Sequence, residues 1–254
     1  HGDASQSLRH ARDLYQALEH LCEFPALLSP LLTPRLMLEE HYLHLYWQDA
    51  CGVGNQAQFL GEACLSAVLA MSRRLVGEHL PWRIQCAWSQ PRHIEQYWVY
   101  LGEDVRFDAQ ITLLSLPREH IHRPLPNAAA TPGLVARQAC LQQLAALGGG
   151  ASFLDELFDH LHRHIHEPIN LDRVAAAFAI SPTTLKRRLG KHGTHFQQQL
   201  DLVRRHVALY LYQMKGYTNE EVCNYLRFSD TTNFRRSFKR WTGLTPSCLL
   251  YTSP

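Results

Sequence analysis

Leu171-Asp-Arg-Val-Ala-Ala-Ala-Phe-Ala-Ile-Ser181-Pro-Thr-Thr-Leu185-Lys-Arg-Arg-Leu189 and Asn219-Glu-Glu-Val-Cys-Asn-Tyr-Leu226-Arg-Phe228-Ser-Asp-Thr-Thr-Asn-Phe234-Arg-Arg-Ser-Phe238-Lys-Arg-Trp241 are two copies of one pattern. In each, a short apolar helix stops at a tight turn, and a Ser or Asp starts a second helix. Ser181 is placed to cap the first of these second helices, with Pro182 at its opening position, where the missing N–H costs nothing. Ser229 or Asp230 takes that role in the other copy. Each second helix buries residues about a turn apart, Leu185 and Leu189 in one and Phe234, Phe238 and Trp241 in the other. The outward set is then Thr183, Thr184, Lys186, Arg187 and Lys191, followed by Thr231, Thr232, Asn233, Arg235 and Arg236. A helix with such a face fits the major groove of DNA: Arg and Lys pair with guanine, Asn with adenine, and a Thr methyl meets thymine. One copy would be a weak signal. Two copies, 48 positions apart from Ser181 to Ser229, predict a pair of helix-turn-helix motifs.

The charge distribution agrees with that placement. Residues 1–150 hold 11 Lys and Arg against 14 Asp and Glu, whereas residues 151–254 hold 14 against 9, so the modest net charge of +2 conceals a basic C-terminal part. A phosphate-binding surface needs that imbalance, although the imbalance alone would prove little. With 46% hydrophobic and 19% charged residues over 254 positions, the chain can bury two cores and is not disordered. Its seven scattered cysteines form no CxxC pair and no metal-ligand spacing, which fits a reducing cytoplasm. No apolar run approaches the roughly 20 residues that a membrane span needs, so no membrane partner is expected. The chain opens with His1-Gly2 and reads as trimmed from something longer.

Upstream the pattern is mixed. Residues 5–21 follow helical spacing, and Pro25, Pro30 and Pro34 read as helix breaks. Leu36 to Trp47 alternates as a single strand, Cys51 to Gly54 is a turn, and a long helix carries Phe59 through Val76. Trp82–Trp88 and residues 105–116 give further strands, with a short helix around Tyr97 between them, and a helix over 134–147 leads to Gly148-Gly149-Gly150 as a hinge. Downstream only helical spacing appears, including a long helix marked by Phe196, Leu200, Val203, Val207 and Leu211. The expected fold is therefore an α+β sensor domain (1–130), a helical connector with a Gly hinge (131–151), and an all-α domain (152–254) with two helix-turn-helix subdomains joined by a long helix.

Segment 152–247 resembles the DNA-binding domain of the AraC/XylS family of bacterial transcription regulators. The carriers are Val174-Ala175, Ser181-x3-Leu185-x-Arg187-x-Leu189, Gly193, Arg204-x3-Ala208-x2-Leu211, Phe228-Ser-Asp and Asn233-Phe234-x3-Phe238-Lys-Arg-Trp-x-Gly243-x-Thr245-Pro246. Residues 1–147 are similar, less sharply, to the arabinose-binding-domain-like sensor of one branch, through Phe59-Leu-Gly-Glu-Ala, Pro91-x-His93-x3-Tyr97, Val105-x-Phe107 and Pro124-Leu-Pro. Members of that branch commonly carry some tens of residues before the point where this chain starts. The resemblance implies both recognition helices in adjacent major-groove segments, with Thr183, Lys186 and Arg187, then Thr231, Thr232, Arg235 and Arg236, facing bases. It also implies double-stranded promoter DNA, a small-molecule effector, RNA polymerase and a second copy of the chain in a homodimer as partners, a role as activator or repressor in the cytoplasm, and no cofactor. Two departures stand out. The family usually has Gly before the Phe of the second turn, where this chain has Arg227; a non-Gly residue in a left-handed backbone is strained by roughly 1 kcal/mol or more, so a distorted second turn is expected. Leu249-Leu250 replaces the usual aromatic-Arg close, weakening a backbone contact.

Other chemistry is poorly supported. His160, His162, His164 and His166 form two i,i+4 pairs, a spacing that can bind zinc, but the pairs lie on different faces with no further ligand beside them. Asp104 with Asp108, or Glu39 with Glu40, has nothing to place it in a cleft, and no nucleophile elbow, phosphate-cradling loop or HExxH occurs, so the chain is read as no enzyme, without catalytic or metal residues. Tyr42, Tyr46, Trp82, Trp88, Tyr97 and Trp98 are either core or the lining of an effector pocket. The rival function is a regulator that acts mainly through protein contacts, its DNA affinity weakened by the second turn.

Overall fold

The computed structural model describes residues 2–49, 51–147, 152–213 and 215–246, and the chain splits into two compact units, His1–Ser152 and Phe153–Pro254. The first is an α+β unit. It begins with α1 (Asp3–Arg9) and α2 (Leu14–Glu23), where a single helix over 5–21 is expected. The interruption is local side-chain chemistry. The Asp13 carboxylate accepts the Gln16 amide at 2.8 Å, and the Gln16 side chain accepts the Arg12 amide at 2.7 Å, so a new cap competes successfully with helix continuation. α2 ends just before Pro25, as expected of a proline, and Pro25 also opens a short helix, α3 (Pro25–Leu28).

The expected single strand over 36–47 is a hairpin instead. β1 (Leu32–Leu38) and β2 (Tyr42–Asp49) run antiparallel, with Leu38 opposite Leu43 and Leu32 opposite Asp49. Glu39 N–H donates to the Tyr42 carbonyl at 2.9 Å across the turn. Pro34 lies inside β1, and it can do so because β1 is the edge of the sheet, where no neighbour asks for its N–H. Asp49 then accepts the amides of Cys51, Gly52 and Val53 at 2.7–3.0 Å, which builds the expected turn.

α4 (Ala57–Val76), β3 (Arg83–Gln85), α5 (Ile94–Leu101), β4 (Val105–Arg106) and β5 (Leu113–Pro117) complete the sheet, whose order is β1-β2-β5-β3-β4; β3 and β4 are parallel and the other pairs antiparallel. One face of the sheet (Leu43, Leu45, Ile84, Leu114 and Leu116) packs with Leu14, Leu18, Leu65 and Val68 of the helices, every one of them buried. Each such side chain contributes about 1.5–3 kcal/mol relative to leaving it exposed. Trp82 and Tyr97 belong to this core: the Trp82 indole N–H donates to Ser72 Oγ at 3.2 Å, and Tyr97 donates to Glu62 while accepting from Trp88. Trp98, by contrast, is 50% exposed. The last helix of the unit, α6 (Ala130–Ala146), begins four residues before its expected start because Pro132 sits in its first turn, where a helix tolerates proline. It lies against α1, with Cys140 packed on Ala4 and Phe24, and with Arg137 paired to Glu23. The expected hinge Gly148–Gly150 and the Leu249-Leu250 departure lie outside the described residues.

The regular elements among the described residues of the second unit are all helices: α7 (Phe153–Arg163), α8 (Leu171–Ala177), α9 (Pro182–Lys191), α10 (Phe196–Gln213), α11 (Asn219–Tyr225) and α12 (Thr231–Thr242). α10 is the long bridging helix, and its Leu200, Val203, Val207 and Leu211 are buried, as their spacing requires. Among the described residues no helix is long and apolar enough to cross a membrane.

Candidate nucleic-acid interface

α8 and α9 form the first helix-turn-helix. Asn170 caps α8 by accepting the Arg173 amide at 2.9 Å, and Val174 and Ala175 face the core. The turn closes with Ala179 N–H on the Ala176 carbonyl (3.0 Å) and Ile180 N–H on the Ala175 carbonyl (3.0 Å), a six-to-one bond that satisfies the orphan carbonyls of the helix end. Ala179 itself has φ +52°, a left-handed conformation. Ser181 Oγ then accepts the Thr184 amide at 3.1 Å and starts α9, with Pro182 at its first position.

α11 and α12 repeat this geometry. Thr218 and Glu221 make a reciprocal capping box, Thr218 N–H donating to Glu221 Oε2 at 2.7 Å and Glu221 N–H to Thr218 Oγ1 at 3.3 Å. The amide bond holds the Glu221 carboxyl below the usual carboxylate range. Arg227 has φ +58°, and Phe228 N–H reaches the Cys223 carbonyl at 3.0 Å, matching the Ile180 bond. The distortion expected of the second turn is therefore absent. Arg227 adopts the left-handed backbone, as the missing glycine requires, and its Nε donates to the His166 carbonyl at 2.9 Å. Its neighbour Phe228 lies under the Arg204 guanidinium, 5.0 Å from the ring centroid.

Asp230, not Ser229, caps α12 by accepting the Asn233 amide at 2.7 Å, which holds its carboxyl below the ordinary range. This cap shifts the repeat. The turn residues Ala179 and Arg227 are 48 apart, but the capping residues Ser181 and Asp230, and with them the buried pairs Leu185 with Phe234 and Leu189 with Phe238, are 49 apart. Thr183 thus corresponds to Thr232, Lys186 to Arg235 and Arg187 to Arg236.

Of the sequence-predicted residues, Thr183, Lys186, Arg187 and Lys191 on α9, and Thr232, Asn233, Arg235 and Arg236 on α12, are exposed; Thr184 and Thr231 are half-buried. Two polar groups are engaged within their own caps. The Thr184 hydroxyl lies 2.9 Å from Ser181 Oγ, and the Asn233 amide nitrogen donates to Asp230 Oδ2 at 2.7 Å. Asn233 must leave that bond before it can read a base. Two other exposed cations have partners within the unit: Arg240 pairs with Asp201 of α10 at 2.9 Å, and the Arg188 guanidinium stands 5.6 Å from the Phe153 ring centroid. Lys239 is the residue that spacing could have identified and the sequence reading omitted. It is exposed, seven positions after Thr232 on the same stripe as Arg235 and Arg236.

The histidine run divides between half-buried His160 and His164 and exposed His162 and His166. His160 and His164 rings are 4.7 Å apart, His162 stacks on Phe158 at 5.9 Å, and His164 Nδ1 lies 3.0 Å from a Glu167 carboxylate oxygen. Among the described residues no group of three or more His, Cys, Asp or Glu is arranged to hold a metal ion.

Comparison with known proteins places both units. The sequence model of the arabinose-binding domain of AraC transcription regulators, N-terminal, matches residues 2–125, and that of a helix-turn-helix domain matches residues 174–250. The chain is 28% identical to the ornithine utilization regulator of Pseudomonas aeruginosa over 97% of its own length and 73% of that protein's. It is 31% identical to an uncharacterised helix-turn-helix-type transcriptional regulator of Mycobacterium tuberculosis, over 57% of this chain and 42% of that one. Among solved structures it is similar to the transcriptional regulator CdpR from Pseudomonas aeruginosa, with 22% identity, a TM-score of 0.42, and coverage of 99% of this chain and 82% of that one. The two sequence models together span most of the chain, and the chain belongs to the AraC family of transcription regulators.

Proposed function

We propose that this regulator binds specific promoter DNA through the outward stripes of α9 and α12, under the control of a small-molecule effector or of dimerisation in the α+β unit. The carrying observation is the pair of exposed stripes, Thr183-Lys186-Arg187 and Thr232-Arg235-Arg236, set on opposite faces from their buried Leu and Phe pairs at one constant offset. Each stripe offers two adjacent cations: an Arg can form a bidentate pair with guanine, and its neighbour can take a phosphate or a second base. Ligand binding in the sensor unit would then shift the population of DNA-competent arrangements, and RNA polymerase recruitment at the promoter would follow in the cytoplasm.

Arg187→Ala and Arg236→Ala should each cost about 1–3 kcal/mol of discrimination between the selected site and a mismatched one. Footprints of both variants as strong as wild type on the same site would remove the assignment. The rival regulator that works mainly through protein contacts is separated by titrating DNA binding at two salt concentrations, since true phosphate contacts give a steep salt dependence. The intact bonding of the second turn favours the DNA reading.

A further inference from the structure

Three described glycines lie inside helices, and two of them have a packing reason to lack a side chain. A Cβ on Gly61 of α4 would meet the Trp88 ring at 3.0 Å, and one on Gly133 of α6 would meet the His10 carbonyl oxygen at 3.3 Å. Gly190 of α9 has no such reason. A Cβ there would meet nothing within 4 Å, its φ is not positive, and the helix continues through Lys191. Gly190 is the penultimate residue of α9 and keeps a helical backbone, where glycine still orders more chain than alanine would, so the fold alone would favour a larger residue here.

Its position is the informative part. At 3.6 residues per turn, Gly190 lies about 20° from Thr183 around the helix axis, between Lys186 on one side and Arg187 on the other. It is therefore at the centre of the exposed stripe, opposite the buried Leu185 and Leu189. The corresponding residue of α12, three past Arg236 as Gly190 is three past Arg187, is the exposed Lys239.

We propose that Gly190 is a DNA contact point at which the bare main chain of α9 lets one sugar-phosphate strand approach the helix more closely than any side chain would permit. This rests on the DNA-binding reading given above and deepens it: the two recognition helices hold the duplex by different means. α9 seats closely through a notch flanked by Lys186 and Arg187, whereas α12 stands off and holds a phosphate with Lys239 at the matching place.

The test uses the full chain and a duplex selected from a random pool by the wild-type protein. Gly190→Ala should raise the melting temperature by a few degrees, because it removes the glycine penalty and meets no neighbour. The same substitution should weaken binding to the selected duplex about tenfold or more, with an unchanged salt slope, because it adds bulk and removes no charge. Lys239→Ala should do the reverse, leaving stability near wild type and lowering the salt slope by about one unit. A Gly190→Ala protein that is more stable and binds the duplex as tightly as wild type overturns this proposal alone. A wild-type protein that enriches no duplex overturns it together with the DNA-binding reading.

Discussion

The two helix-turn-helix motifs share a backbone and differ in almost everything that holds it. Both turn on a non-Gly residue in the left-handed region, Ala179 at φ +52° and Arg227 at φ +58°, and both close with the same six-to-one amide bond. Around the first, the fully buried filling is aliphatic and small, Leu185, Leu189, Val174 and Ala175, with the half-buried rings of Phe153 and Phe178 at its edge. Around the second, Phe228, Phe234, Phe238, Trp241 and Tyr212 make a run of ring contacts with centroids 5.4–6.5 Å apart. The difference teaches that the motif is fixed by its turn and caps, while the filling behind it is free to vary so long as it is apolar and of the right period.

The largest contrast lies in the fillings. Phe238→Ala removes a fully buried ring that contacts Tyr212, Phe234 and Trp241, and should cost about 3–5 kcal/mol; Leu189→Ala, equally buried, should cost about 2–5 kcal/mol. Each loss should be local before it is global. Hydrogen exchange should accelerate first in α11–α12 for Phe238→Ala and in α8–α9 for Leu189→Ala. Simultaneous acceleration in both motifs for either variant would show that the two fillings act as one cooperative core.

Acid should expose the same asymmetry. His206 of α10 packs edge-on to Phe158 at 5.8 Å, and burial, with the nearby positive charges of Arg205 and His162, pushes its pKa down to about 3. His160, packed beside Phe178, is lowered in the same direction. A histidine lowered on folding is neutral in the native chain but protonated once unfolded, so for His206 the unfolded state binds the extra proton between about pH 6.5 and pH 3. Stability is thus complete above about pH 6.5 and declines as pH falls through that window, by up to about 1.4 kcal/mol per pH unit for His206 alone. The decline should appear in the α7–α9 half, and His206→Gln should flatten it. A pH 5 melting curve for His206→Gln that drops as far as wild type would refute the assignment.

How much of this was readable beforehand follows from the kind of interaction responsible. The helix-turn-helix pair was legible because its signal repeats, and because buried side chains about a turn apart (Leu185 and Leu189, or Phe234 and Phe238) leave a period that no other structure shares. The hairpin of β1 and β2 was not, since its turn at Glu39–His41 contains no Gly, Pro or Asn, and three consecutive polar residues are the one mark it leaves between Leu38 and Tyr42. Nor was the break between α1 and α2, where the reciprocal bonds of Asp13 and Gln16 outweigh a continuous helical period. Within the site, the exposed cations Lys186, Arg187, Arg235 and Arg236 could be read from spacing, but the one-residue shift that makes Asp230 the cap could not, because Ser229 and Asp230 are equally good candidates in sequence.

The turns themselves offer a finer comparison. Ala179 has only its backbone in the left-handed region, whereas Arg227 also donates to the His166 carbonyl. Ala179→Gly should therefore leave stability unchanged or raise it by up to about 1 kcal/mol, through relief of the left-handed strain. Arg227→Gly relieves the same strain but loses a side-chain hydrogen bond of about 1 kcal/mol, so the two should nearly cancel. Arg227→Ala keeps the strain and loses the bond, and should be the least stable of the three in urea titration. If Arg227→Gly proved as stabilising as Ala179→Gly, the His166 contact would have no energetic weight.

The smallest effect separates the two caps by charge. Ser181 is neutral, and Ser181→Ala should cost about 1 kcal/mol at any pH. Asp230 caps as an anion, its carboxyl held low chiefly by the Asn233 amide. A carboxyl lowered on folding contributes stability above its unfolded pKa, near 3.9, and loses it as pH falls through the lower folded value. The deficit of Asp230→Ala should accordingly be present at pH 7 and shrink towards pH 2, while that of Ser181→Ala stays constant. Measuring both against a His206→Gln background removes the larger acid transition from view. A Ser181→Ala deficit that shrank in parallel would mean that the pH dependence belongs to the whole unit and not to the charge at the start of α12.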